Sequence, residues 1–246
     1  MEQISTIDAK KVENGLVDTG WERQQTLAFT EWIKYQLRKT NICIKDISTD
    51  LRDGEILIRL LEEICVTSLP PVQKGTIRAN HIKNIEYCFA FVQSKGSNLA
   101  GIQPEQIVDG HLGSLFAFIW AIISRFIMLG TKELMGNDAL LKWVCQRTQG
   151  YSGVSVKNFK ASFSDGMTFN ALIHSYHSEL FDYNTLNPKD PDFNLNHAFS
   201  VAESILGVPK MLDVESIKTS PDSRSIMTYV LCIYHVLNKN QLNPQI

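Results

Sequence analysis

The stretch Ile107–Leu129, IVDGHLGSLFAFIWAIISRFIML, limits what this chain can fold into more than any other. At roughly 100° per residue, Leu112, Leu115, Phe116, Ile119, Ile122, Ile123, Phe126 and Ile127 fall on one broad face, wider than the stripe a surface helix needs. The back carries Ala117, Ala121, Ser124 and Met128, small or flexible side chains that let a neighbour approach closely, and Trp120 stands on the border. A helix apolar on most sides is expected inside a bundle. The competing reading is a membrane span. Its unbroken apolar run, Leu115–Ile123, is only nine residues, whereas a span needs about 20.

A chain of 246 residues with 44% hydrophobic content can build one large domain or two, each with a core. Its formal charge of −2, from 24 basic and 26 acidic residues, lacks the footprint of a nucleic-acid binder. Cys43, Cys65, Cys88, Cys145 and Cys232 are odd in number, far apart and mostly set in apolar helical pattern. Reduced, buried thiols are expected, not a disulfide framework or a zinc site. The opening MEQISTIDAKKVENG has no apolar signal-peptide core, and no N-x-S/T acceptor occurs. The expected location is intracellular and cytoplasmic.

Residues 1–20 show no apolar period and read as a mobile arm. From Glu22 to Lys39, Phe29, Trp32, Ile33 and Leu37 recur at helical spacing as a core face, and opposite them stand Arg23, Leu27, Thr30, Lys34 and Arg38. Asp53 is expected to cap a second helix with Ile56, Leu57, Leu60, Leu61 and Ile64 inward. Pro70, Pro71 and Gly75 mark a long loop, a third helix runs from about Ile82 to Lys95 and stops at Gly96, and Pro104 starts a short helical turn.

After residues 130–137, the only obvious linker, the chain repeats itself. Trp143 follows Trp32 by 111 positions, Asp165-Gly166 follows Asp53-Gly54 by 112, and Asn194 follows Asn84 by 110. Ile217 after Ile107 and Asp222 after Asp109 extend the match, and no stretch alternates as a strand would. The expected fold is all-α: two homologous helical domains at 21–129 and 138–240, with a tail at 241–246.

The motifs QTLAFTEW, DLRDGEILIRLLE, KGTIR and IVDGHLGSLFAFIW, followed by LLKWVCQRT, SFSDGMTFNALIHSY, DPDFNLNHAFSVAESILGVPKML and SIMTYVLCIYHVL, resemble the actin-binding region of the α-actinin/spectrin superfamily. That region is a pair of calponin-homology (CH) domains, and the similarity runs from Glu22 to Lys239, with GVPKML, SIMTYV and IYHVL closer to α-actinin than to filamin or spectrin. The resemblance implies a non-enzymatic, cofactor-free module that binds the side of actin filaments, the first domain doing most of the binding and the second tuning it. It also implies the head of a longer crosslinker, dimerised antiparallel through a rod. Phosphoinositide is a further implied partner, weakened because His174–Glu179, HSYHSE, lacks the arginines that α-actinins often carry there. A filamin- or spectrin-type linker, or a CH pair serving microtubules or membranes, is the alternative, since fold does not fix function.

The stripe Arg23, Leu27, Thr30, Lys34 and Arg38 reads by itself as a solvated helix face or as an interface. An exposed Leu among basic residues offers a partner apolar burial of ~25 cal/mol per Å², and the stripe coincides with the family's first actin-binding segment. With Gln25 it forms the first candidate contact. Thr26, Leu27 and Lys34 depart from the family's usual signature, which has basic residues before the aromatic and an Asn two after the Trp. The second segment supplies Gln106, Asp109, His111 and Ser114 as polar contacts, with Ile107, Leu112 and Leu115 in the core, and Lys142 and Arg147 are the second-domain candidates. On the last helix Arg224, Thr228, Leu231 and His235 lie opposite its core face, and Leu231 is poorly suited to open water. That face is expected to meet Trp120 across the domains, with Arg224 over the indole.

Chemistry other than binding finds little support. His174 and His177 are three apart on a predicted helix but lack a third metal ligand. Asp190, Asp192, Asn194 and Asn196 imitate a calcium loop, yet Leu195 stands where Gly is needed and Val201 where Glu is needed, so a helix-capping turn is expected. No phosphate loop, nucleophile elbow or H-E-x-x-H is present.

Overall fold

The computed structural model describes residues 20–127 and 136–238. Most of the linker, the tail, Met128 and the expected arm lie outside the described residues, except that the arm's last residue, Gly20, already opens a helix. Two residues assigned to the linker, Gly136 and Asn137, already belong to a helix. The first half contains α1 (Gly20–Gln36), α2 (Ile47–Asp50), α3 (Glu55–Cys65), α4 (Arg78–Ser94), α5 (Pro104–Val108) and α6 (Leu112–Ile122). The second contains α7 (Gly136–Arg147), α8 (Met167–His174), α9 (Pro191–Ser204), α10 (Val214–Thr219) and α11 (Ser223–Leu237). Among the described residues there is no strand.

The central segment is not one helix from Ile107. It breaks at Asp109–His111, where Gly110 takes φ +85 and the His111 imidazole receives the Ser114 N–H at 3.2 Å. Past Ile122 the helix widens into a π-turn over Ile123–Ile127. Of its predicted core face, Leu115, Phe116, Ile119, Ile122 and Ile123 are buried, whereas Leu112 and Phe126 are only half-buried. Phe118, absent from that face, is also buried and stacks on Phe89 at 4.5 Å. The third helix starts at Arg78 rather than Ile82, because its polar first turn carries no apolar period. Asn80 and His81 fasten that turn to the carbonyls of Lys74 and Gly75.

The Asp-Gly repeat has a structural cause. Gly54 and Gly166 take φ +79 and +77 and precede α3 and α8. The cap is therefore the glycine, and Asp53 and Asp165 stand one residue outside it, accepting the N–H groups of Glu55 and Met167 at 2.9 and 3.0 Å. Asn84 on α4 donates to the carbonyls of Asp53 and Gln73, and its own oxygen accepts the Gln73 N–H at 2.8 Å. Asn194 on α9 repeats the two donations, toward the carbonyls of Asp165 and Asn187 at 3.0 and 2.7 Å, but not the acceptance. The approach is so close that a Cβ on Gly54 would lie 2.7 Å from that of Asn84, and one on Gly166 would lie 2.7 Å from the Leu195 nitrogen.

Other repeated positions have diverged. Trp32 is fully buried, whereas Trp143 is half-buried, its indole N–H donating to the Tyr176 hydroxyl at 3.3 Å. Asp190 caps α9 by accepting the Phe193 N–H, the role expected instead of calcium ligation. The cysteines correct the expectation of uniformly buried thiols: Cys88 and Cys232 are buried, but Cys43 and Cys145 are exposed, and all are free.

Two outcomes follow from this packing. Gly54→Ala and Gly166→Ala combine positive-φ strain with a steric clash and should each cost about 3 kcal/mol. Gly96→Ala, at φ +94 with open space around it, should cost only about 1 kcal/mol; urea unfolding gives the order. Second, burial holds His197 below the ordinary imidazole pKa while its Nδ1–H serves Asn170 Oδ1 at 2.7 Å. The unfolded chain then takes up the proton first, so this stability is present above about pH 6.5 and is lost as pH falls below it. Melting temperature followed from pH 7.5 to 5 should decline, and His197→Gln should remove that part of the decline. The depressed carboxylates Asp50 and Asp213 act only below about pH 4.

Candidate functional site

The site is built on α1, which serves two domains. Ala28, Phe29, Trp32 and Ile33 are buried along it, and the helix also packs against α11 of the second domain. At its start, two glutamines read the turn that opens α11. Gln24 Nε2 donates to the Ser220 carbonyl at 2.8 Å, and its Oε1 accepts the Asp222 N–H at 2.9 Å. Gln25 Nε2 donates to the Asp222 carboxylate at 3.2 and 3.3 Å. That carboxylate also caps α11, accepting the Ser225 N–H and hydroxyl, each at 2.8 Å. Each of these hydrogen bonds spans the two domains or fixes the helix end that receives them.

Beside this clasp lies a cleft of about 670 Å³. Arg23, Leu27, Thr30 and Lys34 form its first-domain wall with Lys45 and Leu112, and Asp213 and Ser216 face them from the second domain. The Ser216 N–H, 2.9 Å away, holds the Asp213 carboxyl below the usual carboxylate range, and Arg23 adds to the effect. The α1 stripe is therefore not an open face along its length. Arg23, Lys34 and Arg38 are exposed and Leu27 is half-buried, but Thr30 is 9% and Gln25 4% exposed, because the second domain lies against this side. Lys34 pairs with Glu31 at 2.8 Å, an exposed contact of little energy. Arg38 lies 4.1 Å from the centre of the Tyr35 ring.

The second segment is largely engaged with itself. Gln106 Oε1 accepts the Gln103 N–H and the Ser114 hydroxyl at 2.9 and 3.0 Å, and Ser114 is 6% exposed rather than open. Asp109 and His111 are exposed. Arg78 chelates Asp109 at 3.0 and 2.8 Å, and this hydrogen-bonded cation lowers the Asp109 pKa. In the second domain Lys142 is exposed, and Arg147 lies 4.4 Å from the Tyr176 ring centre.

Across the domains, the Arg224 guanidinium lies over Trp120, 5.6 Å from the ring centre, a cation–π contact of about 0.5–2 kcal/mol. Leu231 is fully buried. His174 is spent on the Tyr151 hydroxyl at 2.8 Å and His177 on Glu179 at 3.1 Å. Among the described residues no group of His, Cys, Asp or Glu could hold a metal ion, and no helix is long and apolar enough to cross a membrane.

Sequence reasoning missed Gln24, Ser220 and Asp222, and with them Lys45, Asp213 and Ser216. One signal was available for the clasp. Gln25 stands four residues before Phe29 and eight before Ile33, on the core face of α1, where a polar side chain must find a partner. The cleft residues of the second domain carry no such mark, since a solvated Asp or Ser has the same pattern.

The calponin homology (CH) domain family matches the chain twice, over residues 23–127 and 135–239. The chain is similar to human α-actinin-4, 42% identical over 230 residues that make up 92% of this chain and 25% of that protein. Sarcomeric α-actinin of Drosophila melanogaster is likewise 42% identical over 231 residues. The chain thus spans about a quarter of the length of these relatives. Among solved structures, the actin-crosslinking core of Schizosaccharomyces pombe fimbrin superposes with a TM-score of 0.68 at 21% identity, covering 88% of this chain and 49% of that one.

The clasp makes its own prediction. Gln24→Ala with Gln25→Ala removes four interdomain donor–acceptor pairs and leaves both hydrophobic cores intact. Small-angle scattering should show a larger radius of gyration with an unchanged helical circular dichroism spectrum. A parent-like radius would mean that the apolar contacts hold the domains together without the clasp.

Proposed function

The chain belongs to the calponin homology (CH) domain family, with two such domains in tandem, and from that premise we propose that it is an actin-filament-binding module, the head of an α-actinin-like crosslinking protein. The observation that carries the reading is the α-actinin similarity across 92% of the chain, with the family's motifs in both halves. The fimbrin fragment sharing the fold is, by its own title, an actin-crosslinking core. The module is structural and cytoskeletal rather than enzymatic.

The first domain presents the filament surface: Arg23, Leu27 and Lys34 on α1, Arg38 in the turn just after it, and Asp109 and His111 beyond α5. The second domain tunes access to it. Thr30 and Leu27 share a cleft with Asp213 and Ser216, and Gln25 is held by Asp222, so full use of the α1 surface requires the domains to part. Arg224 on Trp120 is a second restraint on that motion.

Co-sedimentation with actin filaments should show micromolar affinity, a free energy of about −8 kcal/mol, weakening as salt screens the basic patch. Microtubules run in parallel should not retain the chain, and failure to pellet with actin at low salt and several times that concentration would falsify the reading. Lys34→Glu with Arg38→Glu should weaken binding severely while moving stability by only about 0.5 kcal/mol, as both side chains are exposed.

Arg224→Glu should act in the opposite direction. Loss of the cation over the indole, about 1.4 kcal/mol, shifts the closed-to-open equilibrium about tenfold toward open. Filament affinity should rise and the radius of gyration should grow. A variant with the parent's value of both would show that the Arg224–Trp120 contact restrains nothing.

A further inference from the structure

The Arg224–Trp120 contact forms one side of a second interdomain cavity, of about 420 Å³. Its apolar surface is Ile102, Ala117, Trp120 and Ala121, and two arginines, Arg125 and Arg224, line it with no carboxylate among the lining residues. A guanidinium lying over an aromatic ring keeps its in-plane N–H groups available for an acceptor. Among the described residues, no acceptor receives a hydrogen bond from the Arg224 side chain, and neither arginine has a carboxylate partner. Arg125 donates its Nε hydrogen to the Lys95 carbonyl, which leaves its terminal N–H groups for a ligand. Ser97, Asn98 and Ser124 add neutral polar groups at the rim.

Two cations in a concave site without a counter-charge attract an anion, and a guanidinium suits the planar oxygens of a carboxylate. The indole edge and the small aliphatic side chains beside it suit a flat apolar body. We infer that this cavity binds a small planar aromatic carboxylate, its oxygens toward Arg125 and Arg224 and its ring on Ala117, Ala121 and the edge of Trp120. Arg224 comes from the second domain, and every other lining residue comes from the first. The site therefore exists only while the domains are apposed, and its occupant holds them together.

Isothermal titration calorimetry on the full chain tests this with benzoate as the probe. Saturable binding with Kd of about 1 mM or tighter is expected. Benzyl alcohol, which has the ring without the charge, and inorganic phosphate, which has the charge without the ring, should each bind at least about tenfold more weakly. Arg125→Gln, at an exposed side chain, should weaken benzoate about tenfold. Lys210→Gln, outside the lining, should leave it unchanged. Gln24→Ala with Gln25→Ala should also weaken benzoate, although neither residue lines the cavity, because Arg224 departs with the second domain. No saturation by about 20 mM, equal binding of phosphate or benzyl alcohol, or parent affinity in Arg125→Gln would overturn the ligand assignment. Parent affinity in the double glutamine variant, once its radius of gyration has grown, would overturn the interdomain character of the site. None of these readouts involves actin.

Discussion

The approach of α4 to the start of α3, and its copy between α9 and α8, is the contact on which the rest of each domain depends. A backbone with φ near +80 and a Cβ position already occupied admits only glycine, so Gly54 and Gly166 are fixed by two independent requirements. The asparagine that fills the space then binds two separate backbone segments, tying the helix start to the loop before the next helix. Losing one partner of such a buried amide costs about 1–3 kcal/mol. The lock thus fixes how each of these helix starts meets its neighbour, and it stands in both halves.

The surface between the domains has a different character. It joins a buried helix pair, α1 with α11, to a rim of directional contacts: two glutamines on a helix start and an arginine over an indole. Hydrogen bonds exchanged with water contribute a net of only about 0.5–1.5 kcal/mol each, so the rim sets the relative orientation more than it stabilises the pair. Such a contact can open without unfolding either half. The proposed filament surface shares its cleft with Asp213 and Ser216, and the proposed carboxylate cavity takes Arg224 from α11, so each has walls from both domains and both sites respond to one rigid-body motion.

The core was legible where a single periodicity governs burial. Leu115, Phe116, Ile119, Ile122 and Ile123 are buried as their spacing requires, and the Asp-Gly and Asn positions could be matched at near-constant offset because they perform the same steric task in each half. The break at Gly110 was less legible, since Asp109-Gly110-His111 is short and flanked by apolar residues that continue the helical count. The tryptophans misled for a related reason. Trp143 has the spacing of Trp32, but its indole N–H meets Tyr176 and its ring meets Tyr234, so it remains half-buried.

The candidate surface marks the boundary more sharply. By itself the sequence determined the helical class, the duplication and the set of side chains that must leave water, because these follow from local spacing and from the transfer of apolar groups. Only the tertiary structure decided that Gln25 and Thr30 are covered, that Gln24 grips Ser220 and Asp222, and that two arginines with no carboxylate partner among the described residues share a cavity. Those facts depend on residues some 100 to 200 positions apart being brought together by rigid domains. A polar side chain has no periodic signature that names a partner at such a distance, so its role is fixed by packing and not by pattern.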